Sequence, residues 1–298
     1  MSGELHDRVV VITGAGGGIG GACVRHMLAA GAEVVGADLD VTTSDLPHDS
    51  EHLRLTNVDL LDPSGAQTMI DFALDQFGRV DVLVNNAGVA PVRDSFLTTS
   101  DDDWALTLDL NLMGYVRASR AAITAMRRHG DGALVHIASE AARMPNPRLP
   151  DYSVSKAAIL MLSKVLAAEF TSEGIRSNVV SPAFIRSPIY DRPGGIADSL
   201  AAEFGVDKET ALAKYVELNK IPVGRLGTVD EVAGIVVYLA STRASFVSGG
   251  EFLHRRRRHA RRLTDPDQQE GTARCQFSIE PVRVRKRRRR SPLPWVPR

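Results

Sequence analysis

Short apolar segments alternate with amphipathic segments from residue 8 to about residue 250, and this alternation constrains the fold more than any other feature. The apolar segments are rich in Val and Ile and have the length of buried strands. The segments between them repeat their apolar residues at helical spacing. Strands that alternate with helices form right-handed βαβ units. We therefore predict an α/β fold, a single doubly wound parallel sheet with helices on both faces.

A glycine-rich turn, TGAGGGIG at residues 13–20, lies between the first predicted strand and the first predicted helix. Glycines let the backbone turn tightly and let a phosphate approach, and the helix N-terminus supplies amide donors. The alternative is a loop that only packs closely against the sheet. The position of the turn favours a Rossmann-type dinucleotide site, whose predicted contacts are Gly14, Gly16, Gly17, Gly18, Ile19 and Gly20.

Asp38 ends the second predicted strand, about twenty residues beyond the glycines. A carboxylate at this place accepts hydrogen bonds from both hydroxyls of an adenosine ribose and repels a 2′-phosphate. Residues 13–20 hold no Lys or Arg to receive such a phosphate, so NAD is predicted over NADP. The alternative is an exposed acid at a strand end. Asp59 and Leu60, after the third strand, are expected near the adenine.

Three polar residues follow at spacings that suit proton transfer. Ser139 ends the apolar segment GALVHIAS, and Tyr152 and Lys156 lie four residues apart in a predicted helix. Residues at i and i+4 share one helix face. A hydroxyl, a phenol and an ammonium placed together suit proton transfer to a carbonyl or from an alcohol. Taken singly, the tyrosine and lysine are typical of an exposed pair, and the serine of a turn.

The combined motifs resemble those of the classical short-chain dehydrogenase/reductase family over about residues 8–253. They are TGAGGGIG (13–20), NNAG (85–88), Asn111 in LNLMG, Ser139, YSVSK (152–156) and SPAFIRS (181–187). The resemblance implies a catalytic group of Asn111, Ser139, Tyr152 and Lys156, in which Asn111 holds a water that links Lys156 to solvent. It implies further cofactor contacts at Asn86, Ala87, Gly88, Tyr152, Lys156, Pro182, Ile185 and Ser187.

The resemblance implies an NAD(P)-dependent oxidoreductase that acts on CH–OH donors, with Tyr152 as general acid and base. A phenol has a pKa of about 10, so it is a poor base at neutral pH unless its anion is stabilised. We expect the ammonium of Lys156 and the positive nicotinamide to lower the pKa of Tyr152. Tyr152 then takes the proton of an alcohol or gives one to a ketone, while Ser139 holds the substrate oxygen.

Residues 186–222 form a long excursion that is expected to cover the cofactor cleft as a lid. With nearby residues it suggests an apolar pocket for a small secondary alcohol or ketone, lined by Val89, Pro91, Met144, Pro145, Leu149, Phe184, Ile189 and Tyr190. A 3-oxoacyl-type reductase is one alternative, although such lookalikes generally use NADPH, which Asp38 disfavours. Another is a dinucleotide-binding regulatory protein with weak or lost turnover.

The net charge of zero averages two unlike parts of the chain. Residues 254–298 contain fourteen Arg and one Lys against four acids, a net charge of +11, whereas residues 1–253 carry −11. We predict a catalytic domain over residues 1–253 and a disordered basic tail over residues 254–298. One hypothesis is that the tail results from out-of-frame translation. The rival is a genuine basic arm that binds nucleic acid by charge.

Other features limit the compartment and the partners. Cys23 and Cys275 lie far apart and form neither a disulfide framework nor a metal-ligand spacing, so no metal site is predicted. The apolar run VVVIT is too short to cross a membrane or serve as a signal segment. We expect a soluble cytoplasmic protein without membrane contact. The resemblance also implies a homo-oligomer, a tetramer or dimer.

Overall fold

The computed structural model describes residues 3–42, 46 and 50–254. A seven-stranded parallel sheet forms its centre, in the order β3-β2-β1-β4-β5-β6-β9. The strand bounds are β1 (Val9–Thr13), β2 (Glu33–Asp38), β3 (Leu53–Asn57), β4 (Val82–Asn85), β5 (Gly132–Ile137), β6 (Ile175–Pro182), β7 (Ile185–Arg186), β8 (Gly227–Thr228) and β9 (Glu251–His254). The strand order reverses between β1 and β4, which opens a crevice at their carboxyl ends.

Helices cover both faces of the sheet, as predicted. Their bounds are α1 (Gly18–Ala29), α2 (Gly65–Phe77), α3 (Asp101–Leu108), α4 (Gly114–Met126), α5 (Pro150–Phe170), α6 (Pro188–Asp191), α7 (Ile196–Phe204), α8 (Lys208–Leu218) and α9 (Val229–Ala240). Successive β1 residues point to opposite faces. Val10 packs with α1 and α9, whereas Val11 packs with α2 and α4. The predicted doubly wound sheet is therefore confirmed.

Residues 103–128 have the apolar pattern of one long α-helix, and the structure differs from this prediction in one respect. Residues 101–126 are helical throughout, but a π-helical segment, Asp109–Met113, separates α3 from α4. Asn111 lies at its centre and is fully buried. A π segment inserts an extra residue into a helical turn and is frequent at functional sites. Apolar periodicity does not show such an insertion, because the pattern is shifted by only one position.

The excursion has a hydrophobic core of its own. Buried residues of α6, α7 and α8 pack together, among them Tyr190, Leu200 and Leu212. At its base, β7 pairs in parallel with β8 through Ile185–Gly227 and Arg186–Thr228. This two-residue pairing, the neck, joins the chain entering the excursion to the chain leaving it.

The predicted basic tail is almost wholly outside the described residues. His254 ends β9, and residues 255–298 are not described. Across the described ranges, helices long and apolar enough to cross a membrane are absent.

Candidate active site

A cavity of about 880 Å³ opens at the carboxyl ends of the strands, where the strand order reverses. Most of the predicted site residues line it: Gly14, Gly17, Gly18, Ile19, Asp38, Asp59, Leu60, Asn86, Ala87, Gly88, Ser139, Tyr152, Lys156, Pro182, Ile185 and Ser187. Gly16, Gly20 and Asn111 lie behind this surface. The structure thus brings together residues that are up to 173 positions apart in the chain, from Gly14 to Ser187.

The glycine turn fits a bound dinucleotide. Gly14 and Gly18 have φ values of 68° and 56°, which L side chains rarely adopt. A Cβ built on Gly17 would meet no atom within 4 Å, so open space lies beside this residue. A Cβ on Gly20 would overlap the carbonyl oxygen of Gly14. Gly17 therefore leaves room for a ligand, whereas Gly20 allows α1 to pack against the turn.

Asp38 joins the end of β2 to the glycine turn. Its Oδ2 atom accepts a hydrogen bond from the Gly16 amide at 2.7 Å, and its Oδ1 atom accepts one from Leu39 N at 2.7 Å. Each carboxylate oxygen can accept a further bond. The half-buried carboxylate lines the cavity, where ribose hydroxyls could reach it. Gly16 thus positions Asp38, a contact that sequence reasoning did not anticipate.

The side chains of Thr13 and Asn86 tie the NNAG segment to the end of β1. Thr13 Oγ1 accepts hydrogen bonds from the backbone amides of Asn86 and Ala87 at 2.9 and 3.1 Å. Asn86 Nδ2 donates to the carbonyls of Thr13 and Gly14 at 3.0 and 3.1 Å. These bonds fix the floor of the cavity between β1 and β4. Thr13 was missed as a positioning residue, although it begins the predicted motif.

Asn111 fixes the segment beyond NNAG through its side chain. Its Oδ1 atom accepts from Val89 N at 2.8 Å, while Nδ2 donates to Val89 O at 2.8 Å and to Ser155 Oγ at 3.1 Å. A Cβ on Gly88 would lie 2.9 Å from Oδ1. The amide therefore ties the floor of the cavity to α5. The expectation that Asn111 holds a water stays a prediction, because the hydrogen bonds of its side chain do not test it.

Ser139 and Tyr152 meet at the mouth of the cavity. Ser139 follows β5, and its Oγ atom accepts from Ala141 N at 3.1 Å at the start of a short 3₁₀ turn. Pro150 begins α5, so Tyr152 lies in the first turn of that helix. Burial raises the pKa of the Tyr152 phenol, and a hydrogen bond with Ser139 opposes the rise. Ser139 and the Tyr152 phenol therefore lie side by side on the cavity wall.

Lys156 is buried behind Tyr152. Its Nζ atom donates to Ile137 O at 2.9 Å and to the Tyr115 hydroxyl at 3.3 Å, and it lies 5.7 Å from the Tyr152 ring centroid. Burial lowers the pKa of Lys156 to about 7. The expected lowering of the Tyr152 pKa is therefore not supplied by the protein alone. Desolvation dominates the pKa of the phenol, and burial also disfavours the charged form of the lysine.

His136 lies in β5 and is fully buried behind the site. It hydrogen bonds to Asn85 Nδ2 at 3.1 Å and to Ser177 Oγ at 3.2 Å. Burial, with a smaller effect of the Lys156 charge, lowers the pKa of His136 to about 3. The imidazole is neutral at physiological pH and holds adjacent strands together.

The substrate end of the cavity contains most of the apolar residues predicted for it, together with polar residues that were not predicted. Among the predicted residues, Val89, Met144, Leu149, Phe184, Ile189 and Tyr190 line it, whereas Pro91 and Pro145 do not. Glu140, Asn146 and Tyr215 also line it and were missed, because they belong to loops or to α8 and fit no motif. Among the described lining residues, Lys156 carries the one basic side chain. This end therefore presents neutral and acidic polar groups among apolar ones.

A charged cluster joins the loop after NNAG to the start of α5. Asp151, fully buried, accepts from Arg93 Nη2 at 2.7 Å and from Thr107 Oγ1 at 2.8 Å. Arg93 also donates to Asp103 Oδ1 at 2.6 Å. The sequence reading missed this cluster, because its members come from separate elements. The cluster fixes Asp151, the residue next to Tyr152. Groups of acids, His or Cys able to hold a metal are absent from the described ranges.

Comparison with known proteins agrees with this arrangement. A family model described as "Enoyl-(Acyl carrier protein) reductase" matches residues 14–254. The 3-oxoacyl-(acyl-carrier-protein) reductase FabG of Salmonella typhimurium is 33% identical over 256 residues, covering 84% of this chain and 96% of the relative. The short-chain reductase protein NovJ of Streptomyces niveus is 32% identical over 253 residues, covering 83% and 92%.

Solved structures show the same likeness. The ligand-free aldohexose dehydrogenase of Thermoplasma acidophilum superposes with a TM-score of 0.74 at 30% identity, covering 85% of this chain and 94% of the other.

Proposed function

The chain belongs to the short-chain dehydrogenase/reductase family of oxidoreductases, and we propose that it transfers a hydride between a secondary alcohol, or its ketone, and the nicotinamide of NAD. The observation that carries this proposal is the meeting of Ser139, Tyr152 and Lys156 in a cavity whose other end is the glycine turn. The nicotinamide, when bound, supplies the hydride acceptor or donor. The chain supplies the proton transfer and the orientation of both reactants.

Tyr152 is proposed as the general acid and base. In alcohol oxidation its phenolate takes the hydroxyl proton, and in ketone reduction its phenol returns one. Ser139, already hydrogen bonded to Tyr152, orients the substrate oxygen. Lys156 holds positive charge behind the ring and is proposed to bind the nicotinamide ribose. Asn111 acts as a positioning residue through Val89 and Ser155.

The preference for NAD is proposed from Asp38. Its carboxylate lies at the place where a 2′-phosphate of NADP would bring a second negative charge, and we find no basic lining residue beside it in the described part of the cavity. The Asp38 carboxylate and a 2′-phosphate would repel each other, because both are negatively charged. The remaining proposed contacts, Asp59 and Leu60 at the adenine and Pro182, Ile185 and Ser187 at the nicotinamide, agree with their positions on the cavity wall.

A neutral substrate is proposed from the chemistry of the cavity wall. The described lining residues at that end include an acid, Glu140, and no Arg, which disfavours an anionic substrate. Asn146 and Tyr215 suit a substrate with a further polar group. A second candidate function, reduction of a 3-oxoacyl thioester, is favoured by the likeness to FabG. A dinucleotide-binding protein without turnover is the third possibility that the test must separate.

The partner is proposed to be a further copy of the same chain. Exposed apolar side chains occur along α3 to α5 and in the π segment: Leu106, Met113, Val154, Met161 and Val165. Helix faces of this kind bury themselves against another surface. A native mass above 32.2 kDa in light scattering is the expected result.

The enzyme is proposed to work in the cytoplasm, because the one described cysteine, Cys23, is buried and free.

The test measures absorbance of the reduced nicotinamide with neutral secondary alcohols and NAD, and with ketones or 3-oxoacyl thioesters and NADH or NADPH. Tyr152→Phe is expected to lower turnover by about 10²- to 10⁴-fold without loss of NADH binding, because proton transfer alone is removed. Tyr238→Phe, on α9 outside the cavity, is the matched control. Binding of NAD without turnover of any compound would contradict the enzyme proposal, and faster thioester reduction with NADPH would replace it by the second candidate.

A further inference from the structure

The amine of Lys156 lies between two tyrosine rings. Its Nζ atom is 5.7 Å from the centroid of the Tyr152 ring and 5.1 Å from that of the Tyr115 ring. Tyr152 lines the cavity, whereas Tyr115 does not and is fully buried. Tyr115 therefore cannot touch a substrate and can act on the site only through the lysine.

The directions of the hydrogen bonds make the Tyr115 hydroxyl an acceptor for the Lys156 amine. The Tyr115 hydroxyl donates to Ile137 O at 3.1 Å, so the hydroxyl oxygen acts as an acceptor toward the amine. Lys156 Nζ donates to this oxygen at 3.3 Å and to Ile137 O at 2.9 Å. An ammonium has three N–H donors. Two of them bond to the Tyr115 hydroxyl and to the carbonyl of Ile137, which leaves the third N–H for a group in the cavity.

A neutral platform holds the Tyr115 ring in place. The ring stacks on His136, with centroids 6.1 Å apart and planes at 24°. Asn85 and Ser177 hydrogen bond to the Nδ1 and Nε2 atoms of the imidazole, respectively. Because the pKa of His136 is lowered to about 3, the platform adds no charge near the lysine.

We propose that Tyr115 is a positioning residue that holds the Lys156 amine and stabilises its protonated form. The titratable groups that face this amine are Tyr152 on α5, Tyr115 on α4 and His136 on β5; Asn111, beside Gly88, adds an uncharged amide. An acceptor for a buried ammonium favours the charged state. The charged lysine in turn favours the Tyr152 anion, and this last step rests on the proposed function.

The contact with Tyr115 matters because the pKa of Lys156 is close to neutral pH. With a pKa of about 7, Lys156 is partly charged at neutral pH. Loss of one acceptor therefore lowers the pKa of Lys156 and reduces its charged fraction. The pKa of Tyr152 then rises, because less positive charge lies behind its ring.

The experiment removes only the Tyr115 hydroxyl, with Tyr115→Phe in the full chain. The first readout is the pH titration of the Lys156 Cε resonance in ¹³C-lysine-labelled protein, assigned by its absence in Lys156→Met. The second is the pH dependence of kcat for alcohol oxidation. A chain with 3-fluorotyrosine at position 115 keeps the ring and the hydroxyl while weakening the acceptor, so it retains the fold if Tyr115→Phe does not. Tyr238→Phe is the control.

The titration midpoint of Lys156 is expected to fall by roughly half to one pH unit in Tyr115→Phe. The midpoint of the rate profile is expected to rise by a similar amount, with the alcohol KM unchanged within twofold. Fluorotyrosine is expected to give smaller shifts in the same directions. An unchanged lysine midpoint in both variants would overturn the inference. A shifted midpoint in a protein without turnover would support the role of Tyr115 and reject the proposed function.

Discussion

The two ends of the cavity are built differently. At the cofactor end, the glycine turn, Asp38 and Asn86 are joined to β1 and β2 by hydrogen bonds that involve the backbone. At the substrate end, α6 to α8 pack around a separate hydrophobic core. That core meets the rest of the chain at the neck, which contains two residue pairs.

This difference separates binding of the cofactor from choice of the substrate. Hydrogen bonds between side chains and backbone at the end of the sheet fix the atoms of the cofactor end closely. Helices that pack on their own core can shift as a unit, because few bonds across the neck resist the movement. We therefore expect substitutions at the cofactor end to change affinity for the dinucleotide and substitutions in the excursion to change KM for the alcohol.

Gly20→Ala is expected to have the largest effect. Its Cβ would overlap the Gly14 carbonyl and lie 2.6 Å from Asn86 Nδ2, so backbone atoms at the cofactor end must move. We expect NADH affinity to fall by more than about 100-fold, equivalent to about 2.7 kcal/mol, and thermal stability to fall as well. Fluorescence titration and calorimetry measure the two effects.

Gly17→Ala is the matched control for this change. Its Cβ would meet no atom of the chain within 4 Å, and its φ of 175° is accessible to alanine. We expect the unfolding free energy to stay within about 0.5 kcal/mol and NADH affinity to fall about tenfold, because the methyl group occupies the approach of a phosphate. Equal losses of stability in the two variants would contradict the assignment of different roles to these glycines.

A pair of leucine truncations tests whether the excursion is a separate unit. Leu134 in β5 is 1% exposed, and Leu212 in α8 is 4% exposed. Leu134→Ala is expected to lower the unfolding free energy of the whole protein by about 2–5 kcal/mol. Leu212→Ala is expected to increase hydrogen exchange in α7 and α8, and to raise the alcohol KM several-fold with NADH affinity within twofold. Loss of amide protection in β4 and β5 of Leu212→Ala would show that the two cores unfold together.

The smallest effect is expected from the surface charges of the excursion. Arg186 pairs with Asp191 at 2.7 Å and with Glu209 at 2.8 Å, and all three side chains are at least 40% exposed. Arg186→Met is expected to cost less than about 1 kcal/mol and to change KM by less than twofold at physiological salt. Arg127→Met, which removes an exposed pair with Glu173 from the main body, is the control. A large KM change in Arg186→Met that persists at high salt would mean that this arginine holds the excursion closed.

The sequence predicted most of the cofactor end because its signals are local. Gly14 and Gly18 are recognisable by the positive φ that their turn requires, and Asp38 by its place after β2. The i, i+4 spacing of Tyr152 and Lys156 requires only that α5 be a helix. The alternation of strands and helices also restricts the strand order, because short connections allow a parallel sheet only a few topologies.

Other parts of the site depend on contacts between distant segments. The π segment around Asn111 shifts the helical register by one residue, a change too small for apolar periodicity to reveal. Tyr115 acts through Lys156, 41 positions away, and no motif marks it. The pKa values of Tyr152 and Lys156 depend on burial, which spacing does not give. Glu140 lies in the turn after β5 and Tyr215 in α8, and no motif marks either residue as part of the cavity wall.

The neck between β7 and β8 also makes the excursion exchangeable. Chain enters at Ile185 and leaves at Gly227 as direct neighbours on adjacent strands, about 5 Å apart. A segment of different length or helix count can therefore be inserted between these points without moving the ends of the central sheet. Substrate range can change by replacement of one contiguous stretch of gene, while the residues proposed for proton transfer, which all precede the neck in the chain, are inherited unchanged.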